Sequence, residues 1–337
     1  MYQWNDSEQQ GANSGLPAGE DVTERHVASS NLRPRELPMK IMIAEYAVAT
    51  GLGGTYEIEG RAMLSTIARS FVRCGHRVVY PTSGPVVDAG VPVLLEHGDL
   101  KKFLSTIDAD AGLIVAPDPL APDLIGAVES RMVNLGSGRE TAQLCADKLE
   151  CTRTLKRAGV PVADIVESPE CECSVYVVKP RYGCGSEGVV VSSYPNAPEG
   201  CIATRYVEGV HLSVSFIRGG DRFLPLTINR QLIEMRGSRF VYAGSQVPYR
   251  SPRADEIWDV ARRAAGALGL KGYAGIDLVV GDLPRVVDVN ARLTTSIVGC
   301  ARVVRWELAD LILRASFGGL PESVEVDGEI TFRLDEL

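Results

Sequence analysis

Residues 275–296 read GIDLVVGDLPRVVDVNARLTTS. Two β-rich runs, 276–280 and 285–289, flank a polar turn at 281–284, which is the pattern of a β-hairpin. A symmetric turn pairs Val280 with Arg285 and, counting back, sets Asp277 opposite Asp288. Side chains two apart on a strand share a face, so Asn290 joins them. Two carboxylates facing each other across a ladder repel, and a cation relieves that. Two Asp and one Asn are hard oxygen ligands of the kind Mg²⁺ takes, and Mg²⁺ commonly arrives with phosphates. Val279 and Val286 make the rest of that face apolar. The hairpin therefore reads as a metal shelf for a nucleotide; the alternative is a solvated hairpin with scattered acids.

Outside this stretch the chain alternates. A strand at 41–46 is followed by a glycine-bearing loop at 47–56 and a helix at 57–74 with apolar residues at Ala62, Met63, Ile67, Phe71 and Val72. A strand at 78–80, a helix at 99–107, a strand at 112–116, a helix at 120–130 and a strand at 132–135 follow. This alternation predicts an open, mostly parallel sheet, whose ligands sit beyond the carboxyl ends of its strands, where Glu45 lies. From Arg139 the pattern changes. A helix at 140–158 carries Lys148 in its interior and ends at Gly159 and Pro161. Strands are expected at 175–179, 188–192, 201–206, 212–218, 222–227 and 240–243, then a helix at 255–268, the hairpin, a helix at 306–316 and an acidic stretch, 322–337, with room for one more strand. The fold class is α/β, with α+β character in the second part.

Composition narrows the function classes. The chain has 337 residues, 45% of them apolar, enough for a large core in two or three domains. A net charge of −8 with no basic run argues against nucleic acid as a partner. No stretch approaches about 18 uninterrupted apolar residues, so no membrane span is expected, and no secretory leader is apparent. Residues 1–38 are polar and lack apolar periodicity; they read as a disordered tail, or as residues ahead of a natural start at Met39. The eight cysteines read as reduced thiols of a cytoplasmic protein. A zinc site at Cys171, Cys173, Cys184 and Cys201 lacks the paired spacing such sites favour.

Two further stretches carry chemistry. In VVKPRYGCGSEGVVV (177–191) a strand ends at Lys179, and Gly183, Gly185 and Gly188 surround Ser186 before a second strand. Glycines let backbone N–H groups turn toward phosphate, and lysine supplies a point charge. A strand follows rather than a helix, so this is neither a P-loop nor a dinucleotide fingerprint. In ATRYVEGVHLSVSF (203–216) a strand, a Glu-Gly turn and a second strand offer extended backbone that can bond an adenine edge.

The order of these pieces resembles the ATP-grasp superfamily: a helix lysine (Lys148, in DKLECTRTLKRAGVPV, 147–162), a strand lysine with a glycine loop, the strand pair at 204–214, then the hairpin. The resemblance spans about 140–320. It implies an N-terminal domain at 39–137, an ATP-grasp domain at 138–325 with a lid at about 173–206, and a C-terminal extension at 326–337. It further implies that Lys148 and Lys179 contact ATP, that Gly183, Gly185 and Ser186 belong to a mobile lid, and that Thr204, Arg205, Tyr206 and Val207 form the adenine hinge. Asp277, Asp288 and Asn290 become ligands of one or two Mg²⁺ ions, with Mn²⁺ an alternative, and Arg292 in NARLTTS stabilises the transferring phosphoryl group. Two positions depart from the family: His211 stands where an acid often holds the ribose, and Asp288 where the middle ligand is often Glu.

The implied reaction is ATP-dependent amide formation through an acyl-phosphate, releasing ADP. IMIAEYAVATGLGG (41–54), EIEGRAML (57–64), INRQLI (228–233), VYAGSQVPY (241–249) and NARLTTSIVG (290–299) are similar to archaeal ligases that join tyramine to L-glutamate in methanofuran biosynthesis. That similarity implies a small-molecule carboxylate and amine as partners and allows a homodimer. Glu45 is a candidate for a substrate ammonium, Arg230 and Arg250 for a substrate carboxylate, and Thr295 for a further substrate contact. The alternatives are another ATP-grasp amino-acid ligase and a non-catalytic nucleotide-binding protein; the lysines, the hairpin acids and Arg292 together argue for turnover.

Overall fold

A computed structural model describes residues 37–95, 99–166, 175–184 and 187–337. The expected tail, His97, Cys171, Cys173, Gly185 and Ser186 lie outside them. The chain begins with β1 (Lys40–Glu45), α1 (Tyr46–Thr50), α2 (Thr55–Arg73), β2 (Arg77–Thr82), β3 (Val91–Leu94), α3 (Leu100–Thr106), β4 (Ala111–Val115), α4 (Ala121–Glu129) and β5 (Val133–Asn134). Next come α5 (Arg139–Ala146), α6 (Lys148–Arg157), β6 (Tyr176–Pro180), β7 (Val190–Ser192), β8 (Cys201–Arg205), β9 (Val210–Gly219), β10 (Arg222–Arg236) and β11 (Arg239–Val247). The remainder is α7 (Ala254–Ala267), β12 (Gly272–Val280), β13 (Pro284–Asn290), α8 (Ile297–Val303), α9 (Leu308–Phe317) and β14 (Ile330–Arg333).

The first sheet is parallel throughout, in the order β3-β2-β1-β4-β5. The chain leaves β1 toward β2 on one side and returns to β4 on the other, so a crevice opens at the carboxyl ends of β1 and β4. The second sheet is antiparallel and runs β13-β12-β9-β10-β11-β7-β6-β8, with β14 also on β11. Near the end of the chain, β14 lies antiparallel to residues 244–247 of β11.

One face of the second sheet is apolar by alternation. Leu212, Val214 and Phe216 of β9 are fully buried, and Ile276 and Leu278 of β12 and Val286 and Val289 of β13 lie beside them. Helix α7 covers this face with Ile257, Val260, Ala261, Ala264 and Ala265, spaced as one side of a helix. The opposite face belongs to the site. Another apolar cluster joins Ile41, Leu64 and Phe71 to Ile217, Ile297 and Leu308, so the two sheets share one continuous interior.

Two expectations need correction. The helix expected over 140–158 is two helices, because Asp147 is extended (φ −88°, ψ 92°) and caps α6, its Oδ1 accepting from Leu149 and Glu150 N–H. Lys148 therefore stands at the first position of α6, not within a helix. In the hairpin, Val280 pairs with Pro284 and Val279 with Arg285, so the turn has one residue fewer than expected. A β-bulge at Val287 then takes up one residue, and Asp277 does pair with Asp288. Val286 consequently faces the core, not the site. Beyond the expected elements there are α1, where a loop was expected, β3 and α8, and β10 is much longer. Among the described residues no helix is long and apolar enough to cross a membrane.

Phe216 is wholly buried and stacks on Phe223 at 4.7 Å between ring centres. Phe216→Ala is expected to destabilise the protein by about 3–5 kcal/mol, read as a lowered urea midpoint with an unchanged slope.

Candidate active site

Alternation places polar side chains in rows across the site face of the second sheet. Asp288 pairs with Asp277, Asp277 with Ser213, and Ser213 with Asn229. Along an adjacent row Val279 pairs with His211. Above this face a cavity of about 800 Å³ is lined by both sheets. Its floor includes Asp277, Asp288, Asn290 and Lys179, and its far wall Glu45, Glu59 and Pro117 from the parallel sheet and α2.

The facing carboxylates are managed by lysines. Lys148 Nζ lies 2.7 and 2.9 Å from the two oxygens of Asp288. Burial opposes ionisation of Asp288, but Lys148 and Lys179 outweigh it and hold its carboxyl below the usual range. Asp277 receives less help: burial, then the charge of Asp288, push it up to about 7. Lys148 is likewise penalised by burial, yet Asp288 keeps its proton affinity above normal. Lys179 Nζ donates to the Val287 carbonyl at 2.6 Å. Val287 is the bulged residue, which the bulge leaves out of the ladder pairing. Burial lowers the proton affinity of Lys179.

The glycine loop springs from the same place. Arg181, just after β6, makes a two-pronged ion pair with Asp147 at 2.8 and 2.6 Å, and Tyr182 donates to Asp147 at 2.8 Å. The Lys148 N–H donates to the Arg181 carbonyl at 3.0 Å. The start of the loop and the lysine-bearing helix are thus one unit. Gly183 and Gly188 line the cavity, and Gly188 has φ +72°, a conformation that favours glycine. On the loop's far side Glu187 accepts from Tyr56 of α2 at 2.6 Å. Thr204, Arg205, Tyr206 and Val207 all line the cavity at the end of β8. His211 lies against Phe240, with ring centres 5.5 Å apart, and burial holds its imidazole toward the neutral form.

The wall opposite is built by the segment after β13 and by the parallel sheet. Arg292 Nε donates to Asp118 Oδ1 at 2.8 Å; Asp118 is buried and Arg292 partly buried. Burial opposes the guanidinium charge, and Asp118 more than restores it. Thr295 Oγ1 donates to Glu59. Glu45 caps α1 by accepting from the Val48 N–H at 2.8 Å. Its carboxylate sits against Gly60 so closely that a Cβ there would come within 2.3 Å of it. Arg230 and Arg250 are exposed and do not line this cavity; Arg230 lies over the Tyr249 ring instead.

Sequence reasoning overlooks Glu59, Asp118, Gln231, Tyr56 and Tyr242. A glycine inside the helix EIEGRAM was the visible signal for a close neighbour; nothing local marks the others. The residues present fit a magnesium nucleotide. Asp277 and Asp288 converge with Asn290 beside them, and two ammonium groups stand where phosphate charge would lie. Among the described residues no three His, Cys, Asp or Glu side chains cluster for a metal, so such an ion would rest on two carboxylates and the Asn290 amide.

Glu45 gives a test of these electrostatics. Burial pushes its carboxyl from 4.5 to about 7, against the pull of the Val48 N–H. A carboxyl raised on folding stabilises the protein while protonated, so its contribution is present at low pH and is lost as pH rises from 4.5 through 7. Glu45→Gln keeps an acceptor for Val48 and is expected to gain about 1–3 kcal/mol over wild type at pH 8 and nothing at pH 4, measured by urea unfolding at both.

Comparison with known proteins agrees with this geometry. The ATP-grasp domain family matches residues 145–296. Tyramine–L-glutamate ligase of Methanocaldococcus fervens is 28% identical over 291 residues, covering 81% of this chain and 93% of the relative. The crystal structure of an ATP-grasp superfamily protein from Archaeoglobus fulgidus superposes with a TM-score of 0.71 at 29% identity, covering 85% of this chain and 90% of that one. L-amino acid ligase from Bacillus licheniformis shares the fold at TM-score 0.64 and 16% identity, covering 82% of this chain and 74% of that one. Residues 145–296 match the ATP-grasp domain family, and the chain has the ATP-grasp fold.

Proposed function

We propose that the protein is an ATP-dependent, ADP-forming carboxylate–amine ligase, and that its substrates are L-glutamate and tyramine. The observation that carries the ligase reading is the Asp277–Asp288 pair with Lys148 and Lys179 on the floor of a cavity whose far wall is a second, acid-lined surface. The substrate pair is supported by the similarity to the Methanocaldococcus fervens ligase over most of both chains.

In this reading a substrate carboxylate oxygen attacks the γ-phosphorus of ATP. A P–O bond forms, the bond to the β-phosphate breaks, and ADP leaves. The amine then attacks the acyl carbon, a C–N bond forms, and phosphate departs. Asp277, Asp288 and Asn290 would hold Mg²⁺, which supplies charge compensation for the phosphates. Lys148 exchanges Asp288 for phosphate when nucleotide enters, while Lys179 stays anchored beneath it. Arg292, aligned by Asp118, faces the transferring group. Thr204 to Val207 surround the adenine, and neutral His211 bonds the ribose. Tyr56 holds Glu187, and Gly183 and Gly188 stand on the phosphate side of the cavity. Glu45 receives a substrate ammonium.

Incubating the protein with MgATP, L-glutamate and a panel of amines should yield γ-glutamyltyramine and ADP in equal amounts, read by mass spectrometry. ADP with a different acid and amine keeps the ligase and removes this substrate pair; bound ATP without turnover removes both. Lys179→Met should lower kcat by about 10²–10³ with little change in the amine KM.

A further inference from the structure

We propose that Glu59 is the general base that takes the proton from the attacking amine. The proposal rests on the ligase reading above. An amine with the basicity of a lysine side chain arrives almost wholly as ammonium at pH 7 and has no lone pair until it loses a proton. Nothing on the nucleotide side of the cavity serves: Lys148, Lys179 and Arg292 are cations, and Asp277 and Asp288 belong to the shelf.

Glu59 stands on the other wall, in α2, with its side chain on the cavity. Its Oε2 accepts from Thr295, three residues beyond Arg292, so the group that faces the transferring phosphoryl and the carboxylate are held by one short segment. Among the described residues Oε1 has no hydrogen-bond donor. Glu45 lies beside it, and the two carboxylates repel. Gly60 lets α2 press against Glu45, which brings residue 59 of that turn to the same wall. Two adjacent carboxylates on one cavity wall favour a cation between them, and the amine substrate is that cation.

Burial raises the proton affinity of Glu59 above that of an ordinary carboxylate, with Thr295 and Arg292 acting the other way. That makes it a stronger base than an ordinary carboxylate. The charged and titratable groups around it are Glu45 at the end of β1, Arg292 after β13, and Tyr242 of β11. Tyr242 is hydrogen-bonded to Ser245, and burial keeps it protonated. Arg333 and Asp335 from β14 and the turn after it line the cavity as well.

The step balances. One ammonium proton passes to Glu59 Oε1. The freed lone pair forms the C–N bond, the acyl C–O bond breaks, and its electrons leave with phosphate. The second nitrogen proton goes to that phosphate. Glu59 returns its proton to solvent through the cavity.

The test compares two nucleophiles with wild type and Glu59→Gln, using MgATP and L-glutamate. Tyramine must be deprotonated, whereas hydroxylamine is already neutral at pH 7. Glu59→Gln keeps the Thr295 hydrogen bond. It should lose tyramine amide turnover by about 10²–10³ at pH 7 while forming glutamyl hydroxamate within a few-fold of wild type. The tyramine defect should shrink roughly tenfold per pH unit as free amine accumulates, and Glu59→Asp should recover part of the activity. Equal loss of both products in Glu59→Gln, or a raised tyramine KM with unchanged kcat, overturns the base assignment. Wild-type protein that releases no hydroxamate overturns the ligase reading and this proposal with it. Wild-type hydroxamate formation with both products lost in the variant overturns this proposal alone.

Discussion

The structure depends on how two like charges are made to face each other. Asp277 and Asp288 sit opposite in an antiparallel ladder, over a buried face, where repulsion and desolvation both work against them. The fold meets this with Lys148, carried at the head of a helix that begins where it does because Asp147 caps it. The same Asp147 fixes Arg181 and Tyr182, and so the root of the glycine loop. A single acid thereby ties together the charge compensation at Asp288, the lysine that supplies it and the root of the glycine loop. Buried ion pairs of this sort contribute little net stability. Their retention makes sense as preorganisation, because the pair is poised to trade partners when a polyanion and its cation arrive.

The far wall follows a parallel logic with the opposite sign. Glu45 and Glu59 are carboxylates pushed toward neutrality by burial, and Arg292 with Asp118 bridges from the second sheet to the loop after β4. A floor on which lysines offset the hairpin acids and a wall of buried carboxylates share one cavity, and neither sheet supplies both.

Much of this was legible in the residues, for identifiable reasons. The parallel first sheet follows from strand–helix alternation, the succession of strands from the change of pattern near Arg139, and the hairpin acids from a count back from the turn. The register came out right at Asp277 and Asp288 although the turn was misjudged, because a shorter turn and the Val287 bulge cancel. The break at Asp147 was readable too: an Asp followed three residues later by Glu150 is a capping pattern, and it competes with the apolar period that suggested one long helix. The misplaced residues failed differently. Arg230 has the right chemistry, but its neighbours Asn229 and Gln231 take the site face, so alternation sends it to the other side. Glu59 and Asp118 are distant in sequence from everything they serve, and only tertiary packing brings them to Thr295 and Arg292.

The bulge has a consequence for how far the hairpin can slip. Turn and bulge are complementary counts: together they decide which face residue 288 occupies. A register that released Pro284 into the turn would keep Asp277 opposite Asp288 only by taking Val287 into the ladder, and that would withdraw the carbonyl on which Lys179 rests. The lysine anchor and the strand register therefore lock one another.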